Sequence, residues 1–149
     1  MKPSKFFKEN EKKLISESIQ EAEKNTSGEI RVHIESKCAG NVMDRAAYLF
    51  QKLKMHETKL RNGVLFYLAL DDKKFAILGD AGINQVTADN FWDNIKDAML
   101  KEFTNNDFTS GLSMGITMAG EQLIAHFPYQ QDDINELPDE ISFGDKSSD

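Results

Sequence analysis

Between residues 4 and 25, Phe7, Leu14, Ile15, Ile19 and Ala22 recur at helical spacing, which predicts an amphipathic helix with Ser4 as its N-cap and Lys24 near its end. The period then changes. From Glu29 to Glu35 apolar and polar residues alternate strictly, so Ile30, Val32 and Ile34 share one face of a half-covered strand, with Arg31, His33 and Glu35 on the other. Asn41 is placed to cap a second helix, marked by Met43, Ala46, Ala47, Phe50 and Leu53. Residues 64–70 are continuously apolar, as expected of a central strand covered on both sides. A polar turn, Asp71-Asp72-Lys73-Lys74, returns the chain into a third strand from Phe75 to Leu78, completing an antiparallel hairpin. Thr87 is the expected cap of a third helix that carries Phe91, Trp92, Ile95, Met99 and Phe103. Thr109 is the expected cap of a fourth, with Leu112, Gly115, Ile116, Ala119, Leu123 and Phe127 on its buried face, stopped by Pro128.

The order α-β-α-β-β-α-α contains one β-α-β unit, which requires a parallel crossover, and one hairpin, which adds an antiparallel strand. A strand apolar on both faces needs helices on both sides. The expected fold is therefore α/β, a three-layer αβα sandwich around a small mixed sheet.

Composition changes this picture mainly at the C-terminus. The 149 residues suffice for one domain that buries about 70% of its unfolded surface. The formal net charge is −7, and the last twenty residues, with seven acids and one lysine, hold −6 of it. Residues 1–129 are expected to form the domain and residues 130–149 an acidic, solvated, disordered tail, in which Leu137, Ile141 and Phe143 leave room for a docking peptide. A near-neutral domain argues against a nucleic-acid partner. No stretch is long and apolar enough for membrane insertion, and the charged start MKPSKFFKENEKK does not read as a signal peptide. With Cys38 as the sole cysteine, no internal disulfide forms. These features give the expectation of a cytoplasmic monomer, with a protein partner left open.

Catalytic motifs are sparse. Cys38 is followed by Ala-Gly-Asn, where a cysteine phosphatase needs a phosphate loop ending in arginine. Lys73 stands where an aspartyl-phosphate enzyme starting at Asp71 would place its second aspartate, and a hairpin follows where a helix belongs. His33, His56 and His126 lack ligand spacing, so surface or packing roles fit them better. No G-x-S-x-G or phosphate-binding Gly-Lys-Ser loop occurs.

Four short motifs in order resemble the TPM domain, a family named after a thylakoid-lumen phosphatase, a photosystem-repair protein and a receptor-modulating membrane protein. They are Ser27-Gly-Glu-Ile-Arg-Val32, Arg61-Asn-Gly-Val-Leu65, Gly79-Asp-Ala-Gly-Ile83, and Phe103-x-x-Asn-Asp-Phe-x-x-Gly-Leu112. The resemblance covers about residues 8–127 and implies an αβα sandwich. It also brings two functional associations: acid phosphatase activity in plant members, and binding of divalent cations such as calcium in others. Typical members carry a secretion signal and often a C-terminal membrane anchor; this chain shows neither pattern and is expected to be a stand-alone domain.

Strand directions place the candidate ligands. Strands one and two run parallel, so Glu29 and Asn62 lie at one end, and the reversed third strand returns Asp80 to it. Glu29, Asn62, Asp80 and Asn84 form the expected metal site, with Glu57 and Asp89 in reach. Calcium takes six to eight hard oxygens, which carboxylates, amide oxygens and loop carbonyls supply. The alternative roles are structural: Asp80 caps a turn, Glu29 faces water and Asn62 occupies a left-handed position before Gly63. The opposite end gathers Glu35, Asn41, Asp44, Asp71, Asp72, Asn106 and Asp107, most of them at turns or helix starts. The resulting expectation is a calcium-binding domain. A metal-dependent acid phosphatase without a recognisable nucleophile, and a protein-interaction module, are the alternatives.

Overall fold

Where the period changes, the backbone changes with it. The computed structural model describes residues 2–129 and 141–145. In chain order it contains α1 (Pro3–Phe6), α2 (Glu9–Glu23), β1 (Glu29–Glu35), α3 (Val42–Lys52), β2 (Gly63–Ala69), β3 (Lys74–Gly79), α4 (Ala81–Asn84), α5 (Asp93–Thr104), α6 (Phe108–His126) and β4 (Ile141–Gly144). The sheet order is β3-β2-β1-β4, with β1 parallel to both of its neighbours and β2 antiparallel to β3.

Alternation in β1 sorts the two faces. Ile30, Val32 and Ile34 join Val64, Phe66 and Leu68 of β2 under α2, α5 and α6, where Ile15, Ile19, Met99, Ile116 and Leu123 complete the main core. The other face of β2, Leu65, Tyr67 and Ala69, packs on Ala46, Leu49 and Phe50 of α3. All seven residues of β2 are buried, as a continuous apolar run on a doubly covered strand requires. The architecture is thus the mixed α/β sandwich expected from the element order.

Four expectations need correction. The helix expected over residues 4–25 is two helices, because Phe7 adopts an extended backbone and turns its ring into the core. Ser4 is not its cap; it lies inside α1. Glu11 folds back to accept from the Lys8 backbone N–H at 2.8 Å and starts α2 afresh. Thr87 does not cap α5, since its hydroxyl donates to the Ile83 carbonyl at 2.8 Å and residues 89–92 form turns before the helix begins. Nor does Thr109 cap α6: Asp107 does, accepting from Ser110 N–H at 3.0 Å, and the Thr109 hydroxyl reaches Glu11 at 3.1 Å. Asn41 does cap α3, accepting from the N–H groups of Met43 and Asp44, and α6 ends at His126, just before Pro128.

The fourth correction concerns the acidic tail. Residues 141–144 are the edge strand β4, whose Ile141 and Phe143 pack against the main core. Residues 130–140 and 146–149, where the rest of that tail was expected, lie outside the described residues. No helix among the described residues is long and apolar enough to cross a membrane.

Candidate functional site

The two ends of the sheet carry different chemistry. At the first, β3 stops at Gly79 and Asp80 caps α4, its carboxylate accepting from Ala81 N–H at 2.7 Å. The Asp80 N–H donates to Gly63 O at 3.0 Å, and Glu29 N–H donates to Asn62 O at 3.3 Å. The starts of β1 and β2 therefore meet the end of β3, as the strand directions implied. The 58–62 loop and the 80–84 turn press together here. Arg61, in the left-handed region at φ 51, accepts from Gly82 N–H at 2.8 Å. A Cβ on Gly82 would stand 2.1 Å from Leu60 O and 2.6 Å from Arg61 O, so only glycine fits.

Arg61 decides the electrostatics of this end. Its Nε and Nη2 donate to the two oxygens of Asp80 at 2.8 and 2.9 Å, a bidentate fork on a buried carboxylate. The Asp80 side chain is 5% exposed and the Arg61 side chain 51%, so the anion is fixed and its counter-ion stands half in water. Beside them opens a cleft of about 450 Å³, lined by Gln51, His56, Arg61, Asp80 and Asn84 over an apolar floor of Ala47, Phe50 and Leu78.

The four expected ligands are placed unequally. Asp80 and Asn84 line the cleft, although the Asn84 amide donates back to Gly79 O at 3.3 Å. Glu29 and Asn62 are buried and do not line it. The Asn62 amide donates to Ser27 Oγ at 3.4 Å, while its Oδ1 is buried without a hydrogen-bond partner. Asn62 is not left-handed; the preceding Arg61 is. Among the described residues no three His, Cys, Asp or Glu side chains cluster as a metal cage. The two that line the cleft, Asp80 and Asn84, are hard oxygen donors of the kind a divalent cation takes. Both Asp80 oxygens, however, already hold a guanidinium. The arrangement suits a partly hydrated divalent ion that competes with Arg61, not a fully protein-bound one.

At the opposite end most acids have structural work. Asp72 accepts from Cys38 N–H at 2.7 Å, Asp107 caps α6, and Asp44 lies in the first turn of α3 beside its Asn41 cap. Glu35 differs. It is 5% exposed, accepts Arg45 Nε and Nη2 at 2.8 Å each, and accepts the Tyr67 hydroxyl. His33 Nε2 stands 3.5 Å away. Burial alone would raise the Glu35 carboxyl, but the hydrogen bonds from Arg45 and Tyr67, with the His33 ring close by, outweigh it and hold it at about 2. Burial and the bond to Glu35 push the Tyr67 hydroxyl upward. At neutral pH neither group exchanges its proton readily, so this cluster is a lock between β1, β2 and α3 and not an acid–base pair. Sequence reasoning placed Glu35 at this end but did not find Arg45 or Tyr67. The available signal was three polar residues, Arg31, His33 and Glu35, alternating on the face that α3 only partly covers.

A family model described as the TPM domain matches residues 1–122. Among solved structures, the NMR structure of BA42 from the psychrophilic bacterium Bizionia argentinensis is 50% identical, with a TM-score of 0.87 over 92% of this chain and 94% of that one. The N-terminal domain of a P. gingivalis protein is 18% identical, at a TM-score of 0.67 over 84% and 82% of the two chains. That of the cg2496 protein of Corynebacterium glutamicum is 14% identical, at a TM-score of 0.64 over 78% and 74%. These last two likenesses speak for the fold alone. No curated protein matches.

Proposed function

This chain belongs to the TPM domain family, and from that premise we propose that it binds a divalent cation, calcium first, at the Asp80 end of its sheet. The observation that carries the reading is a buried carboxylate whose counter-charge comes from a half-exposed arginine at the mouth of an open cleft. Because the guanidinium already stands half in water, it can swing outward and stay solvated when a doubly charged ion takes its place on the carboxylate. Asp80 is the charged donor and Asn84 the neutral oxygen donor at the cleft, while Glu29 and Asn62, the other two residues expected as ligands, are buried at that end and do not line it. With few side chains converging, water completes the shell and affinity stays modest. The bound ion would tie the 58–62 loop to the 80–84 turn, which gives the domain a means of regulation.

The test is melting temperature against added calcium for the wild type, Asp80→Asn and Arg61→Gln. A hundredfold excess over the dissociation constant stabilises the folded state by about 2.7 kcal/mol, or roughly 5–10 °C for a chain of this size. Asp80→Asn should abolish the shift. Arg61→Gln should enlarge it at low calcium, because the competitor for the carboxylate is gone. A wild type that does not move at 10 mM calcium (about ten times the weakest dissociation constants of calcium modules) sinks the proposal. So does an Arg61→Gln variant that responds less than the wild type.

A further inference from the structure

The outer edge of β1 is not open to water. Val32, His33, Ile34 and Glu35 pair in parallel with Ile141, Ser142, Phe143 and Gly144, more than a hundred residues along the chain. Each position of this short segment is read by a different group. Ile141 and Phe143 turn inward onto the main core, and Lys12 Nζ lies 5.4 Å above the Phe143 ring. On the other face, Ser142 Oγ is 2.7 Å from His33 Nδ1 and donates to Val32 O at 3.3 Å. Gly144 is demanded by contact: a Cβ there would come 2.9 Å from Glu35 Oε1, 3.0 Å from Glu35 Cβ and 3.2 Å from His33 Nε2. The Asp145 carboxylate then accepts the backbone N–H and the hydroxyl of Ser4.

These contacts have the form of peptide recognition by strand addition, in which the backbone ladder holds the ligand and alternate side chains select it. The walls of the groove, Ser4, Lys12, Val32, His33 and Glu35, all fall within the part of the chain that matches the family model, and the segment seated in the groove falls outside it. Glu35, fixed by Arg45 and Tyr67, is a rigid wall that rejects any side chain at the glycine position. The seated segment is a four-residue edge strand, and Ile141, Ser142 and Phe143 are only half-buried. Elements so short and so exposed open at far lower cost than the core.

We propose that the outer edge of β1 is a peptide-docking groove for an extended segment of another protein, entering parallel to β1 with the pattern aliphatic–Ser–aromatic–Gly–acidic, and that residues 141–145 are a built-in ligand that closes it in cis. A partner with this pattern competes with the chain's own strand. Its apparent affinity is reduced by the fraction of molecules in which the groove is open.

The experiment uses the full chain and, as probe, a fluorescein-labelled peptide of residues 139–146, followed by anisotropy. Gly144→Val drives β4 off its wall, and Asp145→Lys removes the Ser4 contacts without touching the core. Both variants should bind the probe at least about tenfold tighter than the wild type, because the closed fraction no longer competes. The same peptide carrying valine at the glycine position should not bind either variant. The proposal is overturned if Asp145→Lys, with melting temperature and circular dichroism near those of the wild type, binds no probe at millimolar concentration, or if the valine peptide binds as well as the native one. A wild type that forms a strand-exchanged dimer and excludes the probe at every dilution also overturns it, since the groove would then serve two copies of this chain. None of these outcomes depends on calcium, so the two proposals stand or fall separately.

Discussion

Replacing Glu35 by glutamine keeps the shape of the side chain and removes the charge that Arg45 and Tyr67 are built around. In the folded protein the carboxyl is lowered from 4.5 to about 2. Each pKa unit is worth 1.36 kcal/mol, so the shift corresponds to about 3 kcal/mol of stability. The group is almost fully removed from solvent, which argues against a large screening discount. The sign follows from the depressed folded value. The contribution is complete above about pH 4.5, where the unfolded carboxyl is also ionised, and is lost as pH falls toward about 2. The variant should therefore unfold in urea with a stability about 3 kcal/mol below the wild type at pH 7, since one neutral amide oxygen and an N–H donor replace the two charged oxygens that accept Arg45 and Tyr67. The other carboxylates titrate alike in both proteins, so the gap between the two stability curves reports on Glu35 alone. It should stay constant from pH 7 to about 5 and narrow steadily below 4.5. A gap that persists unchanged down to pH 3 would mean that the Glu35 carboxyl is not held low by this network, and the assignment of the cluster as a permanent charge lock would fall.

Close helix packing and the loop beside Asp80 give two further expectations. At Gly120, on α6, a Cβ would stand 2.7 Å from Ala22 Cβ and 3.0 Å from its Cα, so Gly120→Ala forces helix backbones apart and should cost about 1–3 kcal/mol in urea unfolding. At Gly115 the obstacle is the flexible Met99 side chain, with Sδ at 2.4 Å. There the helix preference of alanine, up to about 1 kcal/mol, should offset most of the strain, and equal losses at both sites would refute the distinction. Gly82→Ala meets two backbone carbonyls and should lower stability by about 3 kcal/mol while weakening the calcium response, because the same displacement moves Arg61 and Asp80. A stable Gly82→Ala protein with an unchanged calcium response would show that the two loops do not depend on each other.

Most of the elements were legible in the sequence because their signals are local. The alternation of Ile30, Val32 and Ile34, the continuous run of β2, the Asn41 cap and the stop at Pro128 each follow from residues a few positions apart. Strand direction then brought Asp80 to the same end as Glu29 and Asn62 without any knowledge of side-chain positions. What lay beyond reach was decided by packing between distant segments. Phe7 reads as one more helical residue until the core offers its ring a site, and that site breaks the helix. Arg61 lies beside the expected ligand Asn62, yet only a left-handed backbone at Arg61 itself and the close approach of Gly82 turn its guanidinium onto Asp80. Glu35 finds Arg45 across a loop and Tyr67 on the neighbouring strand, a convergence that no periodicity encodes. The clearest case is β4, four residues within an acidic stretch whose intrinsic preference is too weak to declare a strand. The edge of β1 supplies the missing backbone partners, the core receives Ile141 and Phe143, and Ser4 holds Asp145 from the other end of the chain. Propensity acts within a few residues, whereas a strand edge is satisfied by whatever segment the tertiary fold carries to it.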